Sequence, residues 1–183
     1  MIILDGQLLV ATPRLIDPNF TRTVILVLNH DEDGALGVVI NRPSPLAVAQ
    51  VLPDWSDAVA RPPMVFGGGP VSPDSALAVA VALGEGPPSG FQRVAPGYGL
   101  VDLEASPGEV VPDLAGIRVF SGYAGWGAEQ LESEIEEGSW YVVSAEPGDL
   151  LSDDPETLWR RVLRRQPGEL AYVSTFPDDP SQN

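Results

Sequence analysis

The chain of 183 residues contains no cysteine, no lysine and a single histidine, His30. Without thiols there is no disulfide, no thiolate metal site, no cysteine nucleophile and no iron–sulfur cluster. Without lysine there is no Schiff-base chemistry and no lysine for a phosphate-binding P-loop. With one imidazole a two-histidine metal motif cannot form, and any serine–histidine–aspartate relay must run through His30. Long apolar runs are missing too. The longest, Ala76 to Leu83, has eight residues, against the roughly 17–25 that span a bilayer. The start, MIILDGQLLV, has neither a basic n-region nor a small-residue cleavage site. A soluble, cytoplasmic protein is expected.

What the sequence has in excess is acid. Its 26 Asp+Glu outweigh ten Arg, for a net charge of −16. The excess is uneven: residues 119–159 carry ten acids and no base, whereas residues 160–183 carry four Arg against three acids. Such a field opposes nucleic acid and anionic membrane and suits a basic protein partner. Carboxylate pairs and carboxylate-only cation sites survive these exclusions. No cofactor and no metal is assigned.

Hydrophobic content of 44% is ample for a core. The length suits one domain, expected over residues 1–176 with a flexible acidic tail over 177–183. Residues 7–11, 23–29, 35–41, 64–67, 75–83, 98–104, 117–122 and 139–145 read as strands. The pair 23–29 and 35–41 is apolar on both faces, which predicts central strands joined by a hairpin loop from His30 to Gly34. Within 75–83 alanines alternate with Leu and Val, so one face is small and the other fills core. Helices are expected at 45–52, with Ser44 as its cap, at about 127–137, and from Asp154 to Pro167. In the last, Leu158, Trp159, Val162 and Leu163 share one arc, opposite four arginines. Residues 84–90 read as a flexible loop and 170–174 as a last short strand. Clustered strands with few long crossovers predict a mixed, largely antiparallel α+β fold.

The string LLVATPRLIDPNFTRTVILVLNHDEDGALGVVINRP resembles the opening of the AlgH family, also called the YqgE family, of bacterial proteins. GGPV at 68–71, GYAGWG at 122–127 with QLESEI at 130–135, and Leu158-Trp159 match its later blocks in order, over nearly the whole chain. The resemblance implies a bifurcated, barrel-like sheet with flanking helices. It brings a transcriptional-regulator label that rests on no recognisable DNA-binding domain, and no established catalytic residue. Two departures stand out. The family usually has Pro-Gly where Ala128-Glu129 follow GYAGWG, and often Leu-His near the place of Val79 and Ala80.

Candidate ligand-binding residues are Arg22, Asn41, Arg42, Gly68, Gly69, Tyr123 and Trp126. Two guanidiniums beside a strand end could clamp a carboxylate, although an internal salt bridge, for instance to Asp17, is the simpler role for them. Gly67-Gly68-Gly69-Pro70 follows a strand but lacks the spacing of a nucleotide loop. Leading into a helix N-terminus, GYAGWG could hold an anion between Tyr123 and Trp126, or simply pack strand against helix. His30 with Asp31 and Asp33 reads as an exposed hairpin tip rather than acid–base machinery, and the four arginines at 160–165 as a solvated face.

The favoured reading is a non-enzymatic binding or regulatory protein acting through a protein or small anionic ligand. One alternative is an enzyme using carboxylates, with Arg22 and Arg42 orienting an acidic substrate. Another, disfavoured by the charge, is direct regulation of DNA.

Overall fold

The stretches that are apolar on both faces become the middle of one sheet. The computed structural model describes residues 2–84 and 90–178. Along them run β1 (Gln7–Ala11), β2 (Val24–Asp31), β3 (Gly34–Val39), β4 (Pro43–Ala47), α1 (Val48–Val51), β5 (Met64–Gly67), β6 (Val71–Ala82), β7 (Phe91–Ala95) and β8 (Tyr98–Val101). There follow α2 (Pro107–Val110), β9 (Leu114–Gly127), α3 (Gln130–Glu136), β10 (Trp140–Ser144), α4 (Pro147–Leu150), α5 (Leu158–Arg164) and α6 (Glu169–Val173). Single 3₁₀ turns lie at Pro53–Trp55, Val111–Asp113 and Pro155–Thr157.

The strand order is β10-β1-β2-β3-β9-β6-β8-β7. The sheet forks at β9. Its end pairs with β3, whereas Phe120 and Ser121 pair in parallel with β5, which carries β4 on its other side. Every other pairing is antiparallel. The fold is α+β, a mixed, mostly antiparallel sheet curled into a half-barrel with short helices around it.

Alternation divides the apolar residues into three layers. Leu8, Val10, Val24, Leu26, Val38, Val79, Val81 and Phe120 line the inside, and α5 fills it with Leu158, Trp159, Val162 and Leu163. Leu9, Ile25, Val27, Val39, Ala124, Trp126 and Trp140 form a first outer layer under Leu131 of α3. Ala78, Ala80, Ile117 and Val119 form a second, under Val48 and Val110. The alanine face of β6 is therefore the one on which α1 and α2 settle.

One strand supplies both outer layers because of Gly122. Before it, odd residues of β9 face outward (Ile117, Val119) and Phe120 faces inward; after it, even residues face outward (Ala124, Trp126) and Tyr123 packs inward. Gly122 has φ +73° and coincides with a break in the β6–β9 register. A bulge residue in the left-handed region shifts the alternation by one, and glycine takes that conformation without steric cost.

Several expectations are corrected. Residues 45–47 are strand rather than helix, and Ser44 is no cap. A residue before proline is driven to extended backbone, and the Ser44 hydroxyl donates to the Val65 carbonyl at 2.6 Å. The expected strand at 170–174 is α6, because Leu170 and Val173, three apart, both pack on the inner layer, which a strand would prevent. β7 has no counterpart among the expected strands. GYAGWG lies within β9, and α3 starts three residues beyond it. His30 is not an exposed tip: the strands run on to Asp31 and Gly34, leaving a two-residue turn. The expected loop at 84–90 and the tail from 177 lie outside the described residues, save Gly84, Gly90, Pro177 and Asp178.

Candidate functional site

The glycine run after β5 enters the fork between β3 and β9. Val39 donates its N–H to the Gly68 carbonyl, and Gly68 donates to that of Ser121, both at 2.9 Å. A Cβ on Gly68 would stand 2.3 Å from the Gly122 carbonyl oxygen, and one on Gly69 equally near Tyr123 backbone. Close main-chain approach accounts for both glycines. Gly67, Gly69 and Pro70 then form one wall of a cleft of about 200 Å³, with Asn19, Val39 and Arg42 as the rest.

Arg42 is fixed by three main-chain carbonyls. Its Nη1 donates to Pro18 and Asn19 (3.2 and 2.6 Å) and its Nη2 to Thr21 (2.7 Å). Burial pushes its pKa below the usual arginine value, and the charge of Asp17 partly offsets this. No carboxylate comes within 4.0 Å of it among the described residues. The simple salt bridge to Asp17 is thus replaced by carbonyl clamps.

The other candidates scatter. The Asn41 side chain accepts from the Val24 N–H and donates to the Arg22 carbonyl, both at 2.9 Å, bracing the start of β2. Arg22 turns away from Arg42. Its guanidinium lies over the Trp159 ring at 4.0 Å and donates to the carbonyls of Phe176 and Pro177. Tyr123 packs on the inner layer. Trp126 is buried in the outer one, its ring 6.5 Å from Phe20 and 6.1 Å from Trp140. Of the seven candidates the structure brings Arg42 and Gly69 to one cleft, with Gly68 behind it.

A second feature was hidden from the sequence. A bulge in β2 between Val27 and Asn29 carries His30 under α3, where it is buried. Its Nδ1 accepts the Leu4 N–H at 3.2 Å, so the ring proton sits on Nε2, 2.5 Å from Glu132 Oε1. A backbone hydrogen bond and then the His30 contact hold the Glu132 carboxyl below its usual pKa. Buried His30 lies at the base of an apolar pocket of about 400 Å³ lined also by Ile2, Leu4, Ile135 and Val142, with Glu132 and Glu136 in the same lining. Both nitrogens of the imidazole are occupied, which suits a structural clasp.

Arg118 was also missed. It is buried, and its guanidinium donates to the carbonyls of Leu150, Ala60, Pro62, Arg61 and Ser152 at 2.7–3.2 Å, stacked 4.1 Å from the Phe66 ring. A lone arginine in the apolar run LAGIRVFSG was the available signal. The basic face of α5 is largely consumed as well. Arg160 pairs with Asp178, Arg161 bonds Thr157 and Ser152, and Arg165 grips buried Asp149 through two contacts of 2.6 Å. Among the described residues no group of three or more His, Asp or Glu could hold a metal, and no helix is long and apolar enough to cross a membrane.

This arrangement has relatives. A family model described as AlgH-like matches residues 8–171. A UPF0301 protein of Streptomyces coelicolor is 59% identical over 184 residues, covering 98% of this chain and 95% of that protein. One of Thermobifida fusca is 49% identical, covering 98% and 96%. Among solved structures, a protein from Corynebacterium diphtheriae superposes with a TM-score of 0.88 at 36% identity, covering 94% of this chain and 92% of that one. The AlgH protein from Pseudomonas aeruginosa superposes with a TM-score of 0.70 at 28% identity, covering 94% of both. With its motifs in order, its forked half-barrel and these relatives, the chain belongs to the AlgH-like family.

Proposed function

We propose that the protein works in the cytoplasm by binding rather than by catalysis, and that the cleft between Arg42 and the Gly67–Pro70 turn receives a small anionic group, free or carried by a protein partner. One observation carries this reading: a guanidinium pre-organised by three carbonyls, without a carboxylate in ion-pair range among the described residues, in a chain where acids outnumber bases. An ordered cation with no carboxylate in direct contact, Asp17 acting on it only from a distance, favours an incoming anion, because little side-chain freedom is left to lose. The alternative of a carboxylate enzyme needs an acid beside that guanidinium and Arg22 at its side. The cleft lining has no Asp or Glu among the described residues, and Arg22 faces Trp159, so the binding reading is the better supported.

The test is titration of labelled protein with citrate, malonate and inorganic phosphate, followed by amide shifts. Saturable shifts at Val39, Gly67 and Gly69 are expected, weakened about tenfold by Arg42→Gln. Because Arg42 also braces residues 18–21, Pro70→Asp is the companion variant: it leaves the guanidinium in place and puts a repelling charge at the exposed rim. Wild-type amides that stay still with all three anions, or an unaffected Pro70→Asp variant, overturn the proposal.

A further inference from the structure

At the far end of β3 from Arg42, roughly 20 Å along six strand residues, lies the pocket over His30. It has the features of a docking surface distinct from the anion cleft. Its walls are apolar, and part of that apolar surface is open: Ile2 is 83% and Val142 38% exposed. Val142 belongs to β10, which among the described residues pairs only with β1 and so ends the sheet. Glu132 and Glu136 stand in the same lining, and Glu129 and Glu137 of the same helical stretch are exposed beside them. The hairpin residues Asp31, Glu32 and Asp33, next to His30, are exposed too. Residues 119–159 carry no arginine or lysine, and although Arg14 approaches Gly138 just beyond α3, no arginine among the described residues forms an ion pair with Glu129, Glu132, Glu136 or Glu137.

We propose that this pocket docks a basic segment of a protein partner, one apolar side chain entering between Ile2, Leu4, Ile135 and Val142 while flanking lysines or arginines face Glu132 and Glu136. Apolar walls call for an apolar anchor, since filling them removes open hydrocarbon from water. The acidic rim selects the flanks, because a neutral or acidic segment would forgo attraction or meet repulsion. A second copy of this chain is a poor occupant. Each copy carries a net charge of −16, so two copies repel one another, and the arginines at 160, 161 and 165 are engaged within the chain. The His30 clasp gives the pocket a fixed floor by tying Leu4 to α3.

A short lysine-rich peptide with one central leucine is the probe, with a matched peptide carrying serine at the centre. The leucine peptide should bind saturably at low salt and move the amides of Leu4, Ile135 and Val142. Binding should fall about tenfold for the serine peptide and for Glu136→Lys. Ile2→Asp and Val142→Asp are the discriminating variants. Each adds a negative charge, so plain charge attraction predicts tighter binding, whereas an anchored side chain predicts binding about tenfold weaker. Ile2 is so exposed that its replacement leaves the fold intact. Equal or tighter binding by Ile2→Asp, a serine peptide that binds as well, shifts centred elsewhere, or a self-associated species that Ile2→Asp dissolves would each overturn the proposal.

Discussion

Arg118 carries its charge inside the half-barrel, where it donates to five carbonyl oxygens. Burial pushes its pKa down to about 10, so it is still protonated at neutral pH. The acceptors come from residues 60–62 and from 150 and 152, so one side chain joins a loop to the end of α4. Arg118→Lys keeps the charge but cannot fill a planar five-donor site, and is expected to lower unfolding free energy by about 3–5 kcal/mol in urea titrations. Glu134 presents the opposite case. Its Oε2 is buried without a hydrogen-bond partner among the described residues while Oε1 accepts from Trp140 Nε1 at 3.4 Å, and burial raises its pKa. The folded chain then binds that proton more tightly than the unfolded chain. The cost of ionisation is full above the raised folded value and absent below the ordinary value of 4.5. Glu134→Gln is therefore expected to stabilise by about 1 kcal/mol at pH 7, with the gain shrinking as pH falls and absent in melts below that ordinary value.

Among the elements, β9 is the one on which the architecture turns. Its 14 residues pair with β6, β5 and β3 and feed all three apolar layers. The shift of alternation at Gly122 makes that possible. A Cβ there would stand 2.4 Å from the Gly69 carbonyl oxygen, at a backbone angle disfavoured for any side chain. Gly122→Ala is expected to destabilise by about 2–4 kcal/mol, combining backbone strain with overpacking, and to loosen the Gly67–Pro70 wall of the anion cleft. Hydrogen exchange at Val39 and Gly68, whose N–H groups cross the fork, reads the second effect. A stable variant with unchanged exchange would show that the fork tolerates separation. The short helices contribute differently: α5 is seven residues long, too short to persist alone, and is held by the four apolar side chains it inserts into the inner layer.

For the whole molecule the governing quantity is the net charge of −16. Self-repulsion of that size lowers stability at low ionic strength, and added salt screens it. The melting temperature is expected to rise by a few degrees between dilute buffer and about 0.5 M sodium chloride; a fall would mean that the arginine pairs outweigh the repulsion. The same field bears on duplex DNA. Arg160, Arg161 and Arg165 are occupied within the chain, so mobility-shift assays at low salt are expected to show no complex. A salt-sensitive complex lost on Arg164→Gln would restore the DNA-regulator alternative.

The boundaries of β1 and β5, the β2–β3 pair and the inward arc of α5 follow from local pattern, since alternation and helical spacing report which side chains avoid water. Charge, the missing nucleophiles and the order of the family motifs are likewise properties of the chain itself. The tertiary structure decided what pattern cannot reach. Alternation assigns faces only while the register is unbroken, so the bulge in β2 and the turn at Gly122 moved His30 and Trp126 to sides that counting could not give. The partners of Arg22, Arg42 and Arg118 are main-chain carbonyls from segments brought together only by folding. Every residue offers a carbonyl, so composition cannot say which ones a guanidinium will find; only the closed sheet can.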